Sequence, residues 1–181
     1  EYFDEVNPLE KILPNFTIEV PLESFLSITK IFSKIIDGKS KLKIQIASNL
    51  HDIGKLGTPN AILDKEGSLT NQELFEIKKH AYLTHTILSK IDNFSEITKW
   101  ASAHHEKLDG SGYPFGLTSN ELGLEERIVS CLDFYQALVE DRPYRKSMTH
   151  KEAVLILKKN LSDYEIDKNI VNAIDIVFDE K

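Results

Sequence analysis

Apolar residues return at steps of three and four along most of this chain, and nowhere alternate long enough to suggest a strand. From Pro21 the residues Leu22, Phe25, Leu26, Phe32, Ile35 and Ile36 form one helical stripe, with Asp37-Gly38 as its stop. A second helix is expected from about Ser40, with Leu42, Ile46, Ala47 and Leu50 on one face. It should end near Gly54, before Gly57 and Pro59 open a loop. Thr70-Asn-Gln-Glu73 is a capping box and starts a helix running towards Ile91. Further helices are expected over 95–105, over 125–141, from the second capping box Thr149-x-x-Glu152 to about Lys159, and over 165–178. A glycine-rich loop occupies 109–116. The pattern predicts an all-α bundle of about seven helices over 21–181, preceded by a lead-in over 1–20 that carries Pro8 and Pro14.

Composition narrows the class further. At 181 residues the chain fits one domain with at most an appendage. Roughly 70% of the unfolded surface can be buried at this size, so the core needs no disulfide or structural metal. Cys131 is the sole cysteine, which rules out an intrachain disulfide and suits a reducing compartment, the cytoplasm. No apolar run is long enough to span a bilayer, and the first residues read as neither the n-region nor the h-region of a signal peptide. The net charge of −7 argues against polymeric nucleic acid or an anionic membrane as partner. A small anion stays open, because a few cations or metal ions can reverse the field inside one cleft. The first residue, Glu1, is compatible with a longer protein carrying a sensor or regulatory domain upstream. A homodimer is equally compatible.

Four of the six histidines, His51, His80, His104 and His105, fall on different expected helices or at their ends. Asp52 follows His51, and Asp133 sits within the longest helical segment. Imidazole and carboxylate together suit Zn, Mn or Fe, and helical bundles build such sites from inward-facing side chains. Each group taken singly also has an ordinary explanation: a buried histidine usually hydrogen-bonds in the core, and a His-Asp pair near a helix end can cap it. Asp133 is harder to explain away. Ile128, Val129, Leu132, Tyr135, Ala137 and Leu138 surround it with apolar surface. An unpaired carboxylate buried there would cost several kcal/mol. A metal ion or an arginine such as Arg127 would serve as partner, and composition does not choose between them.

The segments "HDIGK" (51–55), "HHEKLDGSGYP" (104–114) and "RIVSCLDFYQALVEDRPYR" (127–145) together resemble the HD-GYP family, a branch of the HD-domain metal-dependent phosphohydrolases. The resemblance covers about residues 45–160. It implies that His51, Asp52, His80, His104, His105 and Asp133 bind two divalent ions, with Asp52 bridging them. Fe or Mn is favoured by the mixed donor set and by the family. It implies hydrolysis of the cyclic dinucleotide cyclic di-GMP to pGpG, and in some members to GMP, by metal-activated hydroxide attack at phosphorus. Lys55 resembles the family's phosphate-contacting lysine, on one face with His51 if the helix persists. Arg142 and Arg145 resemble its distal phosphate-binding cations. Tyr113 is implied to face the substrate cleft, where it stacks on guanine or contacts a phosphate. Gly110 and Gly112 make the turn before it sterically feasible.

Several positions depart from that pattern. Residues 1–50 contain no histidine, so a third metal position lacks its usual ligand, for which Glu19 or Glu23 lies in the appropriate region. His80-Ala-Tyr-Leu-Thr84 replaces the usual His-Pro-x-x-Gly, a change of packing. His85 falls on a different helical face from His80 and is read as non-ligating. Gln136 replaces an aspartate that could orient a ligand. His150 is expected to be exposed in the second capping box. These departures keep two rival functions in view: a catalytically weak domain that binds nucleotide or a protein partner, and an HD hydrolase of another phosphorylated nucleotide.

Overall fold

The computed structural model describes residues 36–65, 67–141, 146–161 and 165–178. The expected lead-in, Glu19, Glu23, Arg142, Arg145 and the helix from Pro21, of whose stripe Ile36 alone is described, lie outside these residues. Among the described residues there are seven α-helices and no strand, apart from an isolated bridge between Asp109 and Thr118. The all-α expectation therefore holds, with shifted helix ends that place the chemistry-bearing side chains.

α1 (Gly38–Leu50) begins where the sequence suggested a stop, because the Asp37 carboxylate accepts a bond from Ser40 N at 2.7 Å and caps it. It ends at Leu50 rather than near Gly54, and the chain tightens into a 3₁₀ turn, Ile53–Gly57. The break lets Gly54 pass against the next long helix. A Cβ there would collide with the His80 carbonyl oxygen and stand 2.6 Å from Thr84 N. α2 (Asn60–Leu63) lies in the stretch expected to be a loop, a helix too short to leave an apolar stripe in the sequence.

α3 (Asn71–Leu88) opens on the expected capping box. Glu73 N donates to Thr70 Oγ1 at 3.3 Å, and Thr70 N donates to Glu73 Oε2 at 2.7 Å. It stops three residues short of Ile91, ahead of Asn93 in the left-handed region (φ 65°). α4 (Ser95–Ser102) ends before the paired histidines, leaving His104 and His105 in the turn that follows. α5 (Leu124–Val139), α6 (His150–Leu161) and α7 (Lys168–Phe178) complete the described bundle.

The core runs through all the longer helices. Ile44, Leu88, Ile128, Leu157, Ile170 and Ile174 are fully buried in one cluster with Trp100. Each such aliphatic side chain contributes about 1.5–3 kcal/mol relative to exposure. α1 and α3 pack on α4, and α5 joins that layer to α6 and α7. His150, expected to be exposed, is half-buried instead. The first turn of α6 presses it between Tyr135, whose hydroxyl is 3.1 Å from His150 Nδ1, and Phe178, 6.3 Å away between ring centroids. Among the described residues no helix is long and apolar enough to cross a membrane.

Gly54→Ala forces the 3₁₀ turn away from α3, and the expected cost is about 1–3 kcal/mol or more, as for an overpacked core. Urea unfolding of the two proteins measures it, and an unchanged midpoint would contradict the close approach.

Candidate metal centre

The six histidine and aspartate side chains singled out in the sequence meet at one place. His51 and Asp52 sit at the break between α1 and the 3₁₀ turn, His80 midway along α3, His104 and His105 in the turn after α4, and Asp133 on α5. Asp52 Oδ1 is 3.2 Å from His80 Nε2 and 3.8 Å from His104 Nε2, while its Oδ2 is 3.5 Å from His51 Nε2. Asp133 Oδ1 is 3.3 Å from His51 Nε2, and Oδ2 is 3.9 Å from His105 Nδ1. His104 and His105 have ring centroids 4.1 Å apart. Two overlapping sets, His80–His104–His105 and His51–His104–Asp133, each bring their donor atoms within 4.8 Å of one another.

Local backbone geometry sets the imidazole orientations. His51 Nδ1 lies 2.6 Å from Ser48 O, His80 Nδ1 2.6 Å from Ile77 O, and His104 Nδ1 2.6 Å from Ala101 O, each three residues back. A carbonyl can only accept, so Nδ1 carries the proton in all three rings and Nε2 turns inward. His80 Nε2 and His104 Nε2 then stand 3.0 Å apart. Burial lowers the basicity of both rings, well below the ordinary value for His104, so both stay neutral. Two facing lone pairs at that separation repel, and a shared cation would turn the repulsion into coordination. The donor set thus fits a divalent ion.

Charge is unevenly shared across the cluster. For His51, burial opposes protonation, but the hydrogen bond it donates to Asp133 and the charges of Asp52 and Asp133 outweigh it and raise the pKa to about 9. Burial likewise works against Asp52, yet the His51 and Lys55 charges bring its pKa to about 2. Asp133 is also driven far below the usual carboxylate range, against burial, by the hydrogen bond it accepts from His51 and that ring's charge. Burial lowers His105 to about 4. In the absence of an ion, a proton on His51 joins the two carboxylates. Asp133 does not use the arginine that the sequence left open. Arg127 donates to Asp167 Oδ2 at 2.9 Å, Leu122 O at 3.0 Å and Ser119 O at 2.6 Å.

The remaining sequence candidates divide. Lys55 does not share a continuous helix with His51, because α1 has ended; it reaches the Asp52 carboxylate across the tight turn instead. Tyr113 lies against His105, ring centroids 4.7 Å apart, with Lys78 Nζ 5.1 Å from its centroid. Burial, reinforced by Asp133 and Asp52, raises the phenol pKa and keeps its hydroxyl a donor. His85 faces Phe115, at 5.3 Å between centroids, and Ser102 Oγ at 3.5 Å, outside the six-residue cluster. Gln136 Nε2 donates to Glu140.

The sequence reading missed two supporting residues. Glu106 is buried, and its carboxylate accepts from Phe115 N at 2.7 Å, Gly116 N at 3.2 Å and Leu117 N at 2.8 Å. It thereby folds the loop back so that Tyr113 N donates to His105 O at 3.2 Å. Gly110 is needed for its φ of 80°, whereas Gly112 is needed because a Cβ would sit 2.5 Å from Glu106 Cα. The second missed residue is Thr84, fully buried and bonded to the backbone of the His51–Gly54 turn. The position of Glu106 in the string "HHEK" was a signal for the first. Nothing local marked the second.

Glu106→Gln replaces an acceptor with an amide that cannot receive all three bonds. The expected loss is about 2 kcal/mol of stability, in the range for bonds to a charged group. Hydrogen exchange should speed up at the 115–117 amides while helical amides hold. Unchanged exchange there would contradict the role assigned to this carboxylate.

Known proteins share this sequence pattern. The HD domain family model matches residues 30–170. The chain is 44% identical over 126 residues to the 3′3′-cGAMP-specific phosphodiesterase 3 of Vibrio cholerae, covering 70% of this chain and 27% of that protein. It is 31% identical over 188 residues to the 3′3′-cGAMP-specific phosphodiesterase 1 of the same organism, covering 89% of this chain and 44% of the relative. A cyclic di-GMP phosphodiesterase of Thermotoga maritima is 41% identical over 113 residues, 61% of this chain and 31% of its own length. The chain thus spans less than half the length of each of these relatives. The match over 30–170, together with the HD and GYP motifs, shows that the chain belongs to the divalent-metal-binding HD domain family, in its HD-GYP branch.

Proposed function

We propose that this chain is the hydrolytic domain of a cyclic dinucleotide phosphodiesterase, with residues 21–181 as the domain and 1–20 as a lead-in. The observation that carries the reading is the inward convergence of neutral imidazole nitrogens, 3.0 Å apart at His80 and His104, on the Asp52 carboxylate. His51, Asp52, His80, His104, His105 and Asp133 would hold two divalent ions, Fe or Mn being favoured by the mixed donors. Asp52, within 3.8 Å of three imidazoles, has the central position a bridging carboxylate needs. When bound, such a pair of ions supplies a water activated for in-line attack and neutralises charge on the phosphate.

The protein's own groups bind and orient the phosphodiester. Lys55, ion-paired with Asp52, donates to a non-bridging phosphate oxygen at the proposed reacting centre. The Tyr113 hydroxyl, held protonated, donates to a second oxygen or to the base, while its ring stays seated on His105. Arg142 and Arg145 are proposed to grip the distal phosphate of the cyclic substrate, giving the linear product pGpG or, after a second cut, GMP.

Cyclic di-GMP is the substrate the motifs favour. A second reading, 3′3′-cGAMP, is favoured by two relatives named for that substrate. Chromatography of both compounds after Mn²⁺ or anaerobic Fe²⁺ reconstitution separates the two. Turnover of at least one is expected, with a loss on the order of 100-fold or more in Asp52→Asn. A fully metallated protein that turns over neither, or keeps full activity in His51→Ala, would sink the proposal. Tight binding without turnover would favour a nucleotide-binding module instead.

The raised pKa of His51 yields a pH prediction. Its protonated form stabilises the metal-free fold fully below about pH 6.5, and that contribution is lost as pH rises through about 9. An ion must displace this proton, so metal uptake near neutral pH should release about one proton. Calorimetry in buffers of different ionisation enthalpy reads the number. Uptake without proton release between about pH 7 and 8 would contradict the assignment of His51.

A further inference from the structure

Thr84 lies on α3 one turn beyond His80 and is fully buried. Its hydroxyl donates to His51 O at 2.8 Å and accepts from Gly54 N at 3.0 Å. These two backbone groups are loose ends of different helices. His51 is the C-cap of α1, and its carbonyl lies past the last intrahelical bond. Gly54 N–H sits in the first turn of the 3₁₀ segment, where amides lack a partner behind them. A single side chain satisfies both.

The approach at this point is too close for alternatives. The ideal Cβ position of Gly54 is already 2.6 Å from Thr84 N, so a water could not be interposed without opening the packing. The turn that Thr84 grips carries His51 and Asp52, and the helix it projects from carries His80. Asp52 Oδ1 and His80 Nε2, 3.2 Å apart, are therefore fixed relative to each other through this hydroxyl.

We propose that Thr84 is a positioning residue that clamps the His51–Asp52 turn to the helix supplying His80 and thereby sets the affinity of the metal centre. The inference rests on the metal-centre reading and needs no particular substrate. Thr84→Val keeps the shape and removes both bonds, whereas Thr84→Ser keeps the hydroxyl and removes only a methyl group. The test measures Mn²⁺ dissociation constants by chelator competition and Gly54 amide exchange in the metal-free protein. Thr84→Val should weaken Mn²⁺ binding ten- to a hundredfold, the range for groups that orient ligands, and speed exchange at Gly54. Thr84→Ser should bind within about twofold of the wild type in the same comparison. Equal Mn²⁺ affinity in Thr84→Val, or an equal loss in Thr84→Ser, would overturn the proposal. If Thr84→Val fails to fold, an unprotected Gly54 amide in the wild type would still overturn it. Absence of cyclic dinucleotide turnover with normal Mn²⁺ binding in the wild type would sink the function proposed above and leave this inference standing. A wild type that binds no Mn²⁺ would sink both.

Discussion

Imidazoles held by their own backbone and aimed at a shared point, those of His80 and His104 neutral, create a tension that the protein alone does not relieve. His80 and His104 are the acute case, at 3.0 Å. Each Nδ1 is committed to a carbonyl three residues back, so the rings cannot turn away without leaving that N–H unpaired. A proton on His51 partly answers the same problem in the metal-free state by joining Asp133 to Asp52. A divalent cation answers it fully, which is why the arrangement reads as a metal centre rather than as an ordinary buried polar cluster.

The helix ends serve that arrangement. Continuing α1 past Leu50 would leave no room for the approach of Gly54 to α3, and continuing α4 past Ser102 would carry His104 and His105 round a regular helix. Breaking both helices lets two turns face each other across α3. The exposed backbone groups at those breaks are then met by particular side chains: Thr84 at the first, and Glu106 for the loop beyond the second. The GYP loop follows from the latter, since three amides on one buried carboxylate leave it little freedom.

Much of this was legible in the sequence, for reasons that differ by residue. The capping boxes at Thr70 and Thr149 are local signals, and local hydrogen bonds form there. The HD and HH dipeptides and Asp133 stood out because such residues in apolar company need partners, and the fold brings them together. What stayed hidden depends on distance along the chain. Arg127 turned to Asp167, forty residues on, rather than to Asp133. The capping box around His150 says nothing of the aromatic neighbours that α5 and α7 supply, Tyr135 and Phe178. Thr84 looked like a packing change because its partners, His51 and Gly54, lie some thirty residues back.

Anomalous diffraction from crystals of the Mn²⁺-loaded protein is the most direct test of the central claim. The account predicts two peaks within the cluster formed by His51, His80, His104, His105 and Asp133, with the Asp52 carboxylate between them. Density at neither position in a protein shown to contain manganese, or a single ion that Asp52 does not touch, would contradict it.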